Sequence, residues 1–245
     1  MPAGAVSPEG AFTSTFRLVA VLIVALAGAG CWEGTSRDTL ATILSLEGSA
    51  TISLDGGHTF SELRATQNPG SHAIVRSASD SRLALALVPN CLAFLDRNGS
   101  LEIVRLSITK DGNETGDDMR ARSAETKLIS GRLFVSNLWG EAQARLVVAT
   151  GNGEVSTPSN TSFWVESTDG KTRVTCVSGW VEFRPSDSPA STRIPPGSIG
   201  QWPAKDANVT AADADPRGQE DLQQATELEQ KLRELAGKKH NVLPR

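Results

Sequence analysis

The sequence predicts an all-β fold, an antiparallel β-sandwich or roll, with a solenoid-like form as the alternative, and one C-terminal α-helix. Three observations carry that prediction. Short runs of alternating apolar and polar residues recur through the middle of the chain, most of them end at Asn-Gly, Asp-Gly or other Gly-containing turns, and no amphipathic helical segment interrupts them before residue 203. Asn-Gly and Asp-Gly supply the positive φ angles that hairpin turns require, so each pair predicts a hairpin for a stated reason. Strand-length runs at intervals of about 8–12 residues indicate a sandwich, roll or barrel and exclude a parallel α/β fold.

The chain opens on a segment of another kind. Phe16 to Cys31 reads FRLVAVLIVALAGAGC, one Arg followed by an uncharged apolar run that ends in small residues. Leu18 to Gly30 is too short for a bilayer span, which takes roughly 17–25 residues, so residues 1–30 read as an export signal rather than a retained anchor. Two processing sites compete. Ala27-Gly28-Ala29 would release a soluble chain, whereas Gly30-Cys31 resembles a lipobox in which Cys31 becomes the lipidated first residue, with Gly28 where that motif usually has Leu. The lipoprotein reading is preferred, and it places the protein in the periplasm or cell envelope, held to a membrane through Cys31; soluble secretion is the alternative. Residues 31–40 then form a short tether.

Residues 41–203 form the β-domain. Ala50, Ile52 and Leu54 alternate with polar residues and stop at Asp55-Gly56-Gly57. Leu83, Leu85 and Leu87 lead to Pro89-Asn90, Leu92 and Phe94 to Asn98-Gly99, and Leu101, Ile103, Leu106 and Ile108 to Asp111-Gly112-Asn113. Leu146 and Val148 run to Gly151-Asn152-Gly153, and Phe163 and Val165 to Asp169-Gly170. Val174 and Cys176 then face Val181 and Phe183 across Ser178-Gly179, which reads as a further hairpin. Asp111 to Thr126 is polar and charged without a period and reads as a long exposed loop.

Residues 204–216 read as a linker, 217–237 as an amphipathic helix and 238–245 as a tail. Asp215-Pro216 is a suitable N-cap and first-turn pair, and Gly237-Lys238-Lys239 a stop. Leu222, Ala225, Leu228, Leu232 and Leu235 make one apolar stripe, which suits docking on the β-domain or weak self-association.

The net charge of −4 gives no basic field for nucleic acid, and the absence of Tyr leaves poor material for stacking bases. No catalytic residue, cofactor site or metal site is expected: the chain has no G-x-S-x-G elbow, HExxH, phosphate-binding glycine loop or EF-hand. His58 and His72 fall in turns and His240 in the tail. Asp55, Asp111, Asp117, Asp118 and Asp169 read as turn acids, although the Asp111–Asp118 loop has the oxygen ligands of a weak calcium site. Cys91 and Cys176 lie in strand-like runs, where they read as small buried hydrophobes, with a disulfide between them as the less favoured reading. The Asn-x-Ser/Thr sequons at Asn98, Asn113, Asn160 and Asn208 read as turns.

Several segments resemble the FecR-type periplasmic β-domain. Gly48-Ser49-Ala50 is similar to its opening glycine strand, and Leu128-Ile129-Ser130-Gly131-Arg132-Leu133 to its central strand. Thr157-Pro158 with Asn160-Thr161-Ser162-Phe163-Trp164-Val165 resembles its "T-P … G-T-x-F-x-V" segment, with Asn160 in the place of Gly. Asp169–Val174 with Val177–Val181 is similar to a later hairpin, and Pro196-Gly197 to the closing turn. The resemblance implies a stand-alone exported FecR-like module, non-enzymatic, that serves as a scaffold or sensor and signalling component by binding another envelope protein. The alternative is a lipoprotein that binds peptidoglycan or another cell-wall polysaccharide. Trp164 and Trp180 alternate with core residues and should point outward: an exposed pair would suit a glycan, and burial under the C-terminal helix a structural role.

Overall fold

A computed structural model describes residues 35–110, 121–138, 143–157, 160–203 and 209–240. The strands in chain order are β1 (Thr35–Asp38), β2 (Thr42–Glu47), β3 (Ala50–Ser53), β4 (Ser61–Glu62), β5 (Ile74–Ser77), β6 (Arg82–Val88), β7 (Cys91–Leu95), β8 (Ser100–Lys110) and β9 (Ala121–Asn137). They continue as β10 (Gln143–Thr150), β11 (Gly153–Thr157), β12 (Thr161–Thr168), β13 (Lys171–Ser178), β14 (Val181–Pro185), β15 (Thr192–Ile194), β16 (Ser198–Trp202) and β17 (Val209–Ala211). A 3-10 turn, Ala212–Ala214, then leads into helix α1 (Pro216–His240). Among the described residues the fold is mostly β, with a helix at the C-terminal end and no closed barrel.

Two packed sheets share β9. Sheet I runs β4-β3-β5-β8-β9-β10-β11-β14-β15, with β1 beside the end of β8. Sheet II runs β2-β6-β7-β9-β12-β13-β16-β17. The first part of β9, to Ser130, pairs with β8 and β10; from Gly131 it pairs with β7 and β12. Gly131 makes this switch with φ +90°, and a Cβ there would sit 2.6 Å from the Cα of Gly99, so two glycines allow two backbones to meet. Every ladder is antiparallel except β9 with β10, which is parallel.

The core lies between the sheets. Leu101, Ile103, Leu128, Leu146, Val148, Val155 and Phe183 of sheet I meet Ile43, Leu83, Leu85, Leu133, Val135, Phe163, Val165 and Val174 of sheet II. Each such side chain, fully withdrawn from water, contributes about 1.5–3 kcal/mol. A second cluster lies on the outer face of sheet II, where Leu44, Ala84, Leu92, Phe94, Phe134 and Trp164 receive Ala225 and Leu232 of α1, with Leu228 and Leu235 packed alongside. The molecule therefore has three layers: sheet I, sheet II and helix.

The differences from the sequence reading have identifiable causes. Ala121–Thr126, read as loop, begins β9, because Ala124 and Thr126 alternate inward as small residues that carry little hydropathy signal. The remainder of that loop, with Asp111, Asp117 and Asp118, lies outside the described residues. Leu54 is 73 % exposed beyond the end of β3. Leu92 and Phe94 face the helix while Cys91, Ala93 and Leu95 face the core, so β7 is buried on both sides. Two expected hairpins do not form: Asn98-Gly99 carries the chain from β7 in sheet II to β8 in sheet I, and Ser178-Gly179-Trp180 carries it from β13 in sheet II to sheet I, where β14 joins β11 and β15. The apolar residues of β13 and β14 still face each other, across the sandwich. Thr35–Asp38 of the tether forms β1, part of the linker forms β17 and the 3-10 turn, and α1 runs through Gly237 to His240.

Candidate functional site

The two outward faces of the sandwich differ in chemistry. On sheet II, α1 is fastened by polar contacts around the apolar stripe. Asp215 caps it, its Oδ2 accepting from the Gly218 amide at 3.0 Å and pairing with Arg173. Lys231 reaches Glu47 on β2 at 2.7 Å, and Ser136 donates to Glu229 at 3.2 Å. In the middle, the Asp221 carboxylate, 3 % exposed, accepts from the Arg132 guanidinium and from Thr175 Oγ1 at 2.6 Å. Arg132 also approaches Asp96 at 3.7 Å and donates to Gln224 at 3.3 Å. Burial lowers the pKa of Arg132, against the opposing pull of Asp221 and Asp96.

Trp164 belongs to this interface. It is 2 % exposed, its Nε1–H donates to the Asp221 carbonyl at 3.1 Å, its ring tilts against Phe134 at 5.1 Å, and the Arg132 guanidinium lies 3.6 Å from its centroid. Thus it faces outward from its sheet but into the helix, not into solvent. Trp202 is in the core, stacked on Phe183 at 3.8 Å.

Among the described residues, no helix packs on the outer face of sheet I. Its registered neighbours alternate in sign: Glu102 lies opposite Lys127, Arg105 opposite Glu125, Glu154 opposite Arg184 and Glu182 opposite Arg193. Arg145 pairs with Glu125 at 3.4 Å, Arg105 with Asp38 at 3.4 Å, and Arg184 with Glu154. An open groove of about 490 Å³ crosses β10, β11 and β14, with Arg145, Val147, Ser156, Trp180, Glu182 and Arg184 among its lining residues and Pro189 and Ser191 beside them. A smaller concavity of about 260 Å³ shares Ala144 and Arg145 with it.

Trp180 lines the groove. It is half-buried, its carbonyl accepts from Thr157 Oγ1 at 3.2 Å, and the Arg193 guanidinium stands 4.2 Å from its ring centroid. Trp164 and Trp180 therefore serve different faces and do not form an exposed pair. Asn160 has φ +51°, the left-handed region that Asn tolerates better than most residues.

The remaining sequence-predicted groups are dispersed. Cys91 and Cys176 are free thiols in the core, each pushed up to about 12 by burial. His58 and His72 are exposed. Asp55 organises its own turn, accepting from Ser53 Oγ at 2.6 Å, Thr59 Oγ1 at 2.6 Å and the Thr59 amide at 2.9 Å, which holds its carboxyl well below the usual range. Among the described residues, no three His, Cys, Asp or Glu side chains come together as metal ligands. Cys31 lies outside the described residues. The sequence reading did not single out Arg145, Glu154, Glu182 and Arg184, since outward polar residues on a strand look like an ordinary solvated face until the register places them side by side.

No family model and no curated relative matches the chain. Among solved structures, it is similar to two crystal structures, at 1.65 and 2.50 Å, of a "putative anti-sigma factor" from Parabacteroides distasonis ATCC 8503. Both share 15 % identity over 56 % of this chain, with TM-scores of 0.40 and 0.39. The chain covers 57 % of the length of those structures.

Proposed function

We propose that this chain is a non-enzymatic, exported FecR-like β-module that works as a scaffold or sensor component by binding another envelope protein through the open face of sheet I. The observation that carries the proposal is the groove across β10, β11 and β14, where arginines, acids and one Trp meet on a face that no element of the described chain covers. Interfaces between proteins are enriched in Arg and Trp and gain specificity from matched charges. A sugar platform fits less well, because Trp164 is covered by α1 and Arg193 stands on Trp180. A photo-crosslinking residue at Ser156, in the native-host envelope, should yield an adduct with a discrete protein that Arg145→Glu with Arg184→Glu abolishes. Absence of any protein adduct, with co-sedimentation of the chain on purified peptidoglycan, would replace this reading by the polysaccharide one.

Export and attachment rest on the sequence of residues 16–31. Intact-mass measurement of the N-terminal peptide from host membranes should show an acylated Cys31; an unmodified start at Gly30 would make the protein soluble.

A further inference from the structure

We infer that the outer face of sheet II is a second binding surface, which α1 occupies as an internal ligand, and that it takes an amphipathic helix of another protein built on the α1 pattern. That pattern is a carboxylate, a small residue four positions on, and leucines seven, eleven and fourteen positions on, as in Asp221, Ala225, Leu228, Leu232 and Leu235. The surface lies on the other sheet from the groove and is independent of the reading of sheet I.

The helix is attached to the body without being part of it. Among the described residues the core between the sheets contains no α1 side chain, and α1 enters no strand ladder, so the sandwich closes without it. Apolar contact with sheet II comes from Ala225 and Leu232, which are buried, and from Leu228, Leu235 and Ala236, which are only partly so. They cover a broader floor of Leu44, Ala84, Leu92, Phe94, Phe134 and Trp164. The ion pair toward the far end, Lys231 with Glu47, is exposed and holds weakly. Asp215, extended at ψ 126°, is the single residue between the 3-10 turn and α1, so rotation there swings the helix without disturbing β17.

The central contact on that face confers specificity more than adhesion. A buried ion pair repays little beyond the cost of withdrawing both charges from water, and opening α1 returns Arg132 and Asp221 to water together. A helix that closed the face without a carboxylate at that place would leave Arg132 buried and unpaired. The face therefore rejects a merely apolar helix and accepts one in which the acid is followed by small and leucine residues in the 4-3-4-3 spacing of α1, which keeps all five on one helical side. Thr175 on β13 donates to the same carboxylate, and Glu47 at the edge suits a base ten positions further on, where α1 has Lys231. Anchors at such spacings are the general mode of helix-in-groove recognition. Because α1 is tethered at high effective concentration, only a close match displaces it.

The test uses a fluorescently labelled peptide of residues 216–240, added to the wild-type chain and to Asp221→Ala, with binding followed by anisotropy. Asp221→Ala leaves Arg132 without its carboxylate and loosens the internal helix, so it should bind the peptide about tenfold or more tightly than the wild-type chain does. The same peptide carrying Asp221→Ala should lose about tenfold of that affinity. No binding to either chain, or equal binding of the two peptides, would overturn the inference. So would dimerisation of Asp221→Ala that the peptide does not reverse, which would give the face to a second copy. Should Asp221→Ala fail to fold, hydrogen exchange on the wild-type chain decides: amides of residues 225–236 should exchange about tenfold or more faster than those of β9 and β12. Exchange of all three in step would mean that α1 leaves only on global unfolding and that the face is never offered.

Discussion

At the scale of single residues, the most consequential contact is the Arg132–Asp221 pair, with side chains 7 % and 3 % exposed. Removing one member of a buried pair leaves an unpaired charge and costs about 3–5 kcal/mol, whereas replacing both with apolar groups is often neutral. Asp221→Ala should therefore lower the urea midpoint strongly, and Asp221→Leu with Arg132→Met should recover most of the loss. Gly131 offers a second contrast. Gly131→Ala sets a Cβ 2.6 Å from Gly99 at φ +90° and should cost well over ~1 kcal/mol, while Gly170→Ala, at φ +71° with open space around it, should cost only about that much. The need for glycine at residue 131 was legible as part of a family-like motif. Its reason, a backbone crossing with Gly99, was not, because the two lie 32 positions apart in the chain.

At the scale of elements, α1 decides whether sheet II is a surface or an interior. Ending the chain after Ala214 should bare Phe94, Phe134 and Trp164, producing dye binding, a red-shifted Trp emission and concentration-dependent aggregation. The fastening of the helix also depends on pH. The hydrogen bond from Lys231 lowers the pKa of Glu47 from its ordinary 4.5, and that from Arg173 lowers Asp215 from 3.8. Groups whose folded pKa lies below the unfolded value contribute stability above the unfolded pKa and lose it as pH falls through the folded one. Thermal stability should thus begin to decline below about pH 4.5, and Glu47→Gln should lessen that slope. The helix itself, its Asp215 cap and its apolar stripe were readable from spacing. Its landing site was not, since Leu92 and Phe94 carry the same alternating signal as a strand that faces only one core.

At the scale of the whole molecule, the core is assembled without a covalent staple between its cysteines. Cys91 and Cys176 are fully buried and titrate far above neutrality, so reductant should leave the melting temperature unchanged and both thiols should resist alkylation until denaturant is added. Alternating residues, turn glycines and the 3.6-residue stripe of α1 were enough to establish an all-β body with one terminal helix, because strand and helix periodicities are local properties of sequence. Which strands pair depends on contacts distant in the chain. β9 joins both sheets, β10 runs parallel to it, and Ser178-Gly179-Trp180 passes between the sheets rather than closing a hairpin. Trp164 and Trp180, alike in sequence pattern, were separated only by tertiary structure. One lies on the face that the helix covers, and the other at an arch beside the open groove, because burial is settled by what packs against a strand and not by the strand's own residues.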